Sequence, residues 1–311
     1  MKAWQCDDAR PVPGLVPVTV DLPRPGHDEV LIRVHAIGVT PTELLWYPTT
    51  HTTSGSRRHH AIPGHEFSGI VIAAGTAAHL AVGQPVLGMN DWYADGACAE
   101  YCCARVASVA AKPACLTHAE AATIPIGALT AWQGLFDRAG LKAGERVLIH
   151  GGSGAVGVLA IQLARWVGAE VITTASARHR AFLTQLGASQ VIDYRTERFE
   201  DFVTNVDVVF DGVGGAILQR SWDMLSPHGR LVTIAASSEV PPDERTKQAF
   251  FIVAPHQEQL REITRLLDSR ELRPVVDTEV PFARADNAFQ PQGTSRRGLG
   301  KTVVCLIPEN V

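Results

Sequence analysis

Val147-Leu148-Ile149-His150-Gly151-Gly152-Ser153-Gly154-Ala155-Val156-Gly157 is the stretch on which the reading of this 311-residue chain turns. Gly152, Gly154 and Gly157 match G-x-G-x-x-G, a pattern that is weak alone and informative between an apolar strand and a helix. Both flanks are present. Arg146–His150 reads as a strand, and Ala155–Val167 reads as a helix with Val156, Leu159, Ala160, Leu163 and Val167 on one face. The first glycine permits a tight turn, the second lets a pyrophosphate approach the backbone, and the third lets helix and strand pack closely. Unpaired N–H groups at the positive end of the helix dipole then hold the phosphates. The competing reading is a plain glycine turn.

The end of the next strand selects the dinucleotide. Where an acid for a ribose 2′-hydroxyl is expected, the chain has Thr173-Thr174-Ala175-Ser176-Ala177-Arg178-His179-Arg180. There is no carboxylate here. Ser176 and Arg178 suit a 2′-phosphate, the guanidinium supplying charge and a fork of donors. The cofactor expected is therefore NADP(H). The alternative for Arg178 is a solvated residue in the first turn of a helix.

Outward from the turn, strands and helices alternate. Strands are expected at Glu170–Thr174, Gln190–Ile192, Val206–Asp211, Arg230–Ala235 and Ala249–Val253, with a helix at Arg178–Leu186. This rhythm implies a parallel sheet covered on both faces. Towards the N-terminus the pattern changes. Val30–Ile37, Ser68–Ala74, Pro85–Met89 and Ala97–Ala104 are short strand candidates between turn residues, as in a small barrel or sandwich. Thr117-His118-Ala119-Glu120 fits a capping box ahead of an alanine-rich helical stretch that Pro125 interrupts. In the tail, Gln257–Ser269 is an amphipathic helix, and Pro274–Val280 and Thr302–Ile307 read as strands. The tail is expected to return to the first domain.

Composition narrows the class. The chain is 46% hydrophobic and 19% charged, with a net charge of −4, so it has an ordinary globular balance and no basic domain for nucleic acid. Arg57-Arg58-His59-His60 reads as a solvated loop. No apolar run suits a membrane span. The N-terminus lacks a leader pattern. Six irregularly spaced cysteines fit a reducing compartment, so a cytoplasmic protein is expected.

At this point the chain resembles the medium-chain dehydrogenase/reductase superfamily, in its zinc-independent quinone oxidoreductase-like branch. Gly64-His65-Glu66-Phe67-Ser68-Gly69, Ala128-Leu129-Thr130-Ala131-Trp132, Asp211-Gly212-Val213-Gly214-Gly215 and Gly300-Lys301-Thr302-Val303-Val304 are similar to four segments of that family. The resemblance implies an α/β architecture: a GroES-like β-barrel domain plus a Rossmann doubly wound parallel sheet. It divides the chain into a GroES-like catalytic domain at 1–118, a Rossmann NADP-binding domain at 119–255, and a return to the catalytic domain at 256–311. It implies phosphate contacts at Gly152, Ser153, Gly154, Ala155 and Val156, and 2′-phosphate contacts at Ser176, Arg178 and Tyr194. It places the nicotinamide near Thr130, Val213, Ala235, Phe251 and Val253, with Lys301 as a further cofactor candidate. A homodimer is usual in proteins like this.

Zinc members of the superfamily have a cysteine where this chain has Thr40, in Gly38-Val39-Thr40-Pro41-Thr42-Glu43, and a second cysteine near 126–130 that is also missing. One His and one Glu, His65 and Glu66, do not supply the three ligands of a catalytic zinc. Cys98, Cys102, Cys103 and Cys115 have the wrong spacing for a structural zinc lobe. No metal is expected. Without a metal, and without a Y-x-x-x-K pair, a simple ketone is a poor acceptor. Quinones and α,β-unsaturated carbonyls remain, with Thr40 or Tyr47, or both, lining the site. An NADPH-binding protein without catalysis and a zinc alcohol dehydrogenase are the alternatives.

Overall fold

In a computed structural model of the chain, residues 1–7, 14–235, 243–290 and 298–307 are described. The first region is built on strands β1 (Lys2–Cys6), β2 (Leu15–Thr19), β3 (Glu29–Gly38), β4 (Glu66–Ala74), β5 (Pro85–Met89), β6 (Tyr101–Arg105) and β7 (Val109–Ala111), with a one-turn helix α1 (Tyr47–Thr50) after β3. Then come α2 (His118–Ala121), α3 (Pro125–Trp132), β8 (Arg146–His150), α4 (Gly157–Trp166), β9 (Glu170–Ala175), α5 (Arg180–Leu186), β10 (Gln190–Asp193) and β11 (Val206–Asp211). The chain continues through α6 (Gly215–Ser221), β12 (Leu225–Thr233), α7 (Glu244–Ala249), α8 (Gln257–Asp268), β13 (Val276–Pro281), α9 (Ala285–Phe289) and β14 (Lys301–Cys305).

The glycine turn sits in a five-stranded parallel sheet ordered β10-β9-β8-β11-β12. Val147, Leu148 and Ile149 are fully buried because helices cover β8 on both faces. Strand order reverses between β8 and β11, so the turns that follow these two strands flank a crevice at their C-terminal ends. α4 starts at Gly157, two residues later than the apolar periodicity predicts. Ala155 and Val156 belong to the turn instead.

The second sheet runs β13-β14-β3-β4-β5-β7, with β6 also paired to β3. The tail does return: β14 pairs antiparallel with β3, and β13 parallel with β14. α8 buries Leu260, Ile263, Leu266 and Leu267, the stripe its sequence spacing predicts. Thr117 forms the expected capping box with Glu120, and Pro125 opens α3 rather than ending it, as suits a residue with no N–H to donate.

Two expected strands are corrected. Ala249–Val253 is not a strand. Ala249 ends α7, and Phe250 makes only an isolated bridge to Thr233. Beyond it the backbone is spent on side chains: Trp92 Nε1 donates to Val253 O at 2.9 Å, and the Gln133 amide pairs with both Ala254 N and O. Ala97–Ala104 gives a strand only from Tyr101, because the Ala97 and Cys98 N–H groups donate to Gly64 O and Pro63 O. β1, β2 and β7 lay outside the sequence reading; Pro17 in β2 and the three-residue length of β7 leave little alternation to detect.

Candidate active site

The glycine turn has the shape a pyrophosphate needs. A Cβ on Gly152 would lie 2.0 Å from Thr173 Oγ1, and one on Gly157 2.2 Å from Gly151 O, so both positions exclude a side chain. A Cβ on Gly154 meets only Gly151 O, at 3.3 Å, which leaves its face open. Ser153 and Val156 N–H donate to no protein acceptor among the described residues, whereas Gly154 forms a parallel bridge with Gly300 that engages the Ala155 N–H. A helix start with open N–H groups behind a side-chain-free approach is a fit for a dinucleotide pyrophosphate. Beneath the turn, the His150 ring bridges Thr174 Oγ1 at 3.0 Å and Ser221 Oγ at 2.9 Å. Burial pushes this imidazole down to about 4, so it is a neutral strut.

The residues expected at the adenosine end lie where β9 and β10 finish side by side. Asp193 pairs with Ala175, so Tyr194 and Ser176 leave adjacent strand ends. Ser176 is buried, whereas Arg178 and Tyr194 are exposed. Arg178 Nε donates to His179 Nε2 at 2.9 Å. Burial, then the Arg178 charge, lowers the His179 pKa and leaves its nitrogen free to accept. No carboxylate lies in 174–180.

At the opposite end, Asp211 Oδ1 accepts from Val213 N and Gly214 N, both at 3.0 Å, and fixes the turn after β11. Gly214, at φ +76°, lets Ala235 O pass where a Cβ would be 2.1 Å away, bringing Ala235 against the Val213 turn. Val213 is 52% exposed. Phe251 and Val253 are buried. Thr130 Oγ1 donates within α3 to Ile126 O at 2.6 Å, and α3 meets the glycine turn at Gly127, whose Cβ would lie 3.0 Å from Ala155 O.

Facing this crevice, the ends of β3, β4 and β14 hold a buried ionic cluster. Glu43 Oε1 accepts from Gly64 N at 2.7 Å and contacts His65 Nδ1 at 2.5 Å. His65 Nε2 lies 3.2 Å from Ala94 O. Both ring nitrogens therefore meet acceptors. Burial alone lowers the His65 pKa, but the adjacent Glu43 carboxylate wins and raises it above the ordinary value. Glu66 Oε2 accepts from Ile126 N at 3.0 Å, and Oε1 pairs with the Lys301 ammonium. Lys301, 4% exposed, also donates to Thr40 Oγ1 at 3.4 Å. Gly38 must lack a side chain, since a Cβ there would lie 2.5 Å from Glu66 Oε1.

Thr40 is half-buried beside this cluster. Tyr47 is 54% exposed and stacks on His51 with ring centroids 4.3 Å apart, so its ring lies along the loop that follows it. Residues without a role from sequence reasoning complete the wall. Trp92, hydrogen-bonded to Val253, meets Trp46 edge-on at 4.9 Å and His65 at 5.2 Å. Glu43 was legible only as an acid just ahead of Leu44-Leu45-Trp46, an unlikely place for a solvated charge. In the basic loop, Arg57, His59 and His60 are exposed, while Arg58 pairs with Asp95 at 2.9 Å. Among the described residues no three His, Cys, Asp or Glu side chains gather as a metal site, and no helix is long and apolar enough to cross a membrane.

A parallel sheet with a phosphate turn, joined to a second β domain that supplies the far wall of the crevice, defines a nicotinamide-dependent oxidoreductase. The chain belongs to the medium-chain dehydrogenase/reductase superfamily, in its quinone oxidoreductase-like branch. Residues 26–130 match the alcohol dehydrogenase GroES-like domain, and residues 186–304 match a family described as zinc-binding dehydrogenase. The chain is 32% identical over 320 residues to a 2-methylene-furan-3-one reductase of Solanum lycopersicum, covering 99% of this chain and 80% of the relative. It is 31% identical to an NADPH-dependent alkenal/one oxidoreductase, chloroplastic, of Arabidopsis thaliana, with the same coverage. The quinone oxidoreductase of Coxiella burnetii superposes with a TM-score of 0.86 at 32% identity, over 98% of this chain and 99% of that one.

Proposed function

We propose that the protein is an NADPH-dependent, zinc-independent reductase of quinones or α,β-unsaturated carbonyls. The observation that carries the zinc-free chemistry is the state of its donors. Both nitrogens of His65 are committed to Glu43 and Ala94 O, Glu66 is committed to Lys301 and Ile126 N, and position 40 carries a hydroxyl. Activated double bonds are the acceptors that need no Lewis acid on oxygen. The names of the tomato and Arabidopsis relatives support the same class.

The nicotinamide supplies hydride when bound. This chain holds the pyrophosphate on Ser153–Val156, the 2′-phosphate at Ser176, Arg178 and Tyr194, and the ring against Thr130, Val213, Ala235, Phe251 and Val253. The acceptor lies between that ring and the wall formed by Thr40, Trp46 and Trp92, with Tyr47 at the outer edge. Hydride adds at carbon, and negative charge moves to the acceptor oxygen, where a hydroxyl stabilises it. We read the domains as 1–118, 119–255 and 256–311, and the protein as a cytoplasmic homodimer.

Fluorescence titration with NADPH and NADH, then an acceptor screen with the preferred cofactor, tests this reading. Tighter binding of NADPH and its oxidation by a quinone or enone, unchanged after chelation, is the expected result. Binding without oxidation across the panel would favour a silent NADPH-binding protein.

A further inference from the structure

We propose that Thr40 donates the proton that completes reduction and that Lys301, buried behind it, holds and resupplies that proton; this rests on the reductase reading above. Two contacts hold the pair, and two more tie its neighbours to α3 and the glycine turn. Lys301 Nζ donates to Thr40 Oγ1 at 3.4 Å, which turns the hydroxyl lone pairs inward and leaves its hydrogen to point outward. Glu66 pins the ammonium from the opposite side and is itself pinned by Ile126 N, one helical turn before Thr130. Gly300 N donates to Ser153 O at 2.8 Å, so Lys301 follows directly on the residue bonded to the phosphate turn. Lys301 is buried while Thr40 is half-buried, so Thr40 is the solvent-accessible member of the pair.

The lysine is a poised proton source. Its surroundings are Glu66 from β4 and Glu43 from the turn after β3, with His65 paired behind Glu43. Burial lowers the Lys301 pKa, while Glu43 and the Glu66 ion pair pull it back up, so the ammonium is a buried proton source held beside the Thr40 hydroxyl. A lysine placed only to bind phosphate gains nothing from that burial, since phosphate binding needs a permanent charge.

The step balances as follows. Hydride from NADPH adds to the β-carbon of an enone, the C=C pair moves toward the carbonyl carbon, and the C=O pair becomes an enolate. An O–H bond forms on that oxygen as the Thr40 O–H bond breaks. Thr40 regains a proton from the Lys301 ammonium, leaving a neutral amine. The enol tautomerises in water after release, and the amine takes a proton back from water. Thr40 touches the substrate; Lys301 and Glu66 act through it as positioning residues.

The test measures NADPH oxidation with cyclohexenone from about pH 5.5 to 9 in wild type, Thr40→Ser, Thr40→Val and the double variant Lys301→Met/Glu66→Gln. The double variant removes both buried charges and leaves neither alone. NADPH affinity and thermal midpoint are measured on the same preparations. Wild-type kcat should fall as pH rises and the buried ammonium is lost. Thr40→Ser should stay within about threefold of wild type, and Thr40→Val and the double variant should lose about 100-fold in kcat. KM and NADPH affinity should hold, and the residual rate of the double variant should no longer fall above neutral pH. A double variant with the wild-type rate and pH profile, or one that loses NADPH binding together with rate, overturns the relay alone. A wild type silent on every quinone and enone overturns the reductase reading and the relay with it.

Discussion

The amide of Gly300 donates to the carbonyl of Ser153 at 2.8 Å, so the last strand of the chain begins on the phosphate turn. Two sheets far apart in sequence are tied at the glycine turn. Gly300 sits at φ +86°, and a Cβ there would lie 2.2 Å from Val275 O. Gly300→Ala must therefore shift both the turn and the start of β14. We expect it to cost about 1–3 kcal/mol of stability in urea unfolding, and to weaken NADPH binding several-fold. Unchanged binding in a destabilised variant would mean that the tie serves stability alone.

The three glycines of the turn predict different failures. Gly152→Ala and Gly157→Ala drive a methyl into Thr173 Oγ1 or Gly151 O and should lower the thermal midpoint as well as abolish cofactor binding. Gly154→Ala meets a single atom, Gly151 O at 3.3 Å, so it should fold nearly as wild type yet bind NADPH at least about tenfold more weakly, because the methyl occupies the pyrophosphate approach. Calorimetry and fluorescence titration on the same samples separate the two effects. A Gly154→Ala protein with wild-type affinity would move the pyrophosphate away from this face.

What the sequence carried was local and periodic. β8, β5 and β11 were bounded to the residue, because each is a short apolar run between turn residues. The stripe on α8 and the cap at Thr117 were equally plain. The losses were non-local. Phe250–Val253 has strand-like residues, but the Val253 carbonyl is claimed by Trp92 and the next residue, Ala254, by Gln133, partners 161 and 121 residues away. At the site, glycine spacing located the tight turn between β8 and α4. The Glu43–His65 and Glu66–Lys301 pairs join residues 22 and 235 positions apart, and no spacing rule anticipates such pairs.

Arg178 should decide between the two dinucleotides. It is exposed at the end of β9, close to Ser176, with no acid nearby in sequence to repel a phosphate. A charge-assisted contact to the 2′-phosphate contributes about 1.5–3 kcal/mol, so Arg178→Ala should raise the Kd for NADPH by about 10- to 100-fold. NADH lacks that phosphate, and its Kd should move by less than about twofold. Equal weakening of both would place Arg178 at the shared part of the cofactor.

The Glu43–His65 pair sets a pH dependence of stability. His65 contacts an acceptor at each nitrogen, and Glu43 raises its pKa above the ordinary value in spite of burial. A group whose folded pKa is raised contributes stability that is complete below its unfolded value, near about 6.5, and is lost as pH rises through the folded value. The stability advantage of wild type over His65→Gln should therefore be largest in mild acid and shrink in the alkaline range, read from urea unfolding at a series of pH values. Glu43→Gln leaves the imidazole to burial alone, which favours its neutral form. It should cost about 3–5 kcal/mol, the scale for breaking one side of a buried pair, and should flatten the pH dependence. A difference between wild type and His65→Gln that stays constant across the series would show that Glu43 does not hold His65 protonated, and that its role is to accept from Gly64 N.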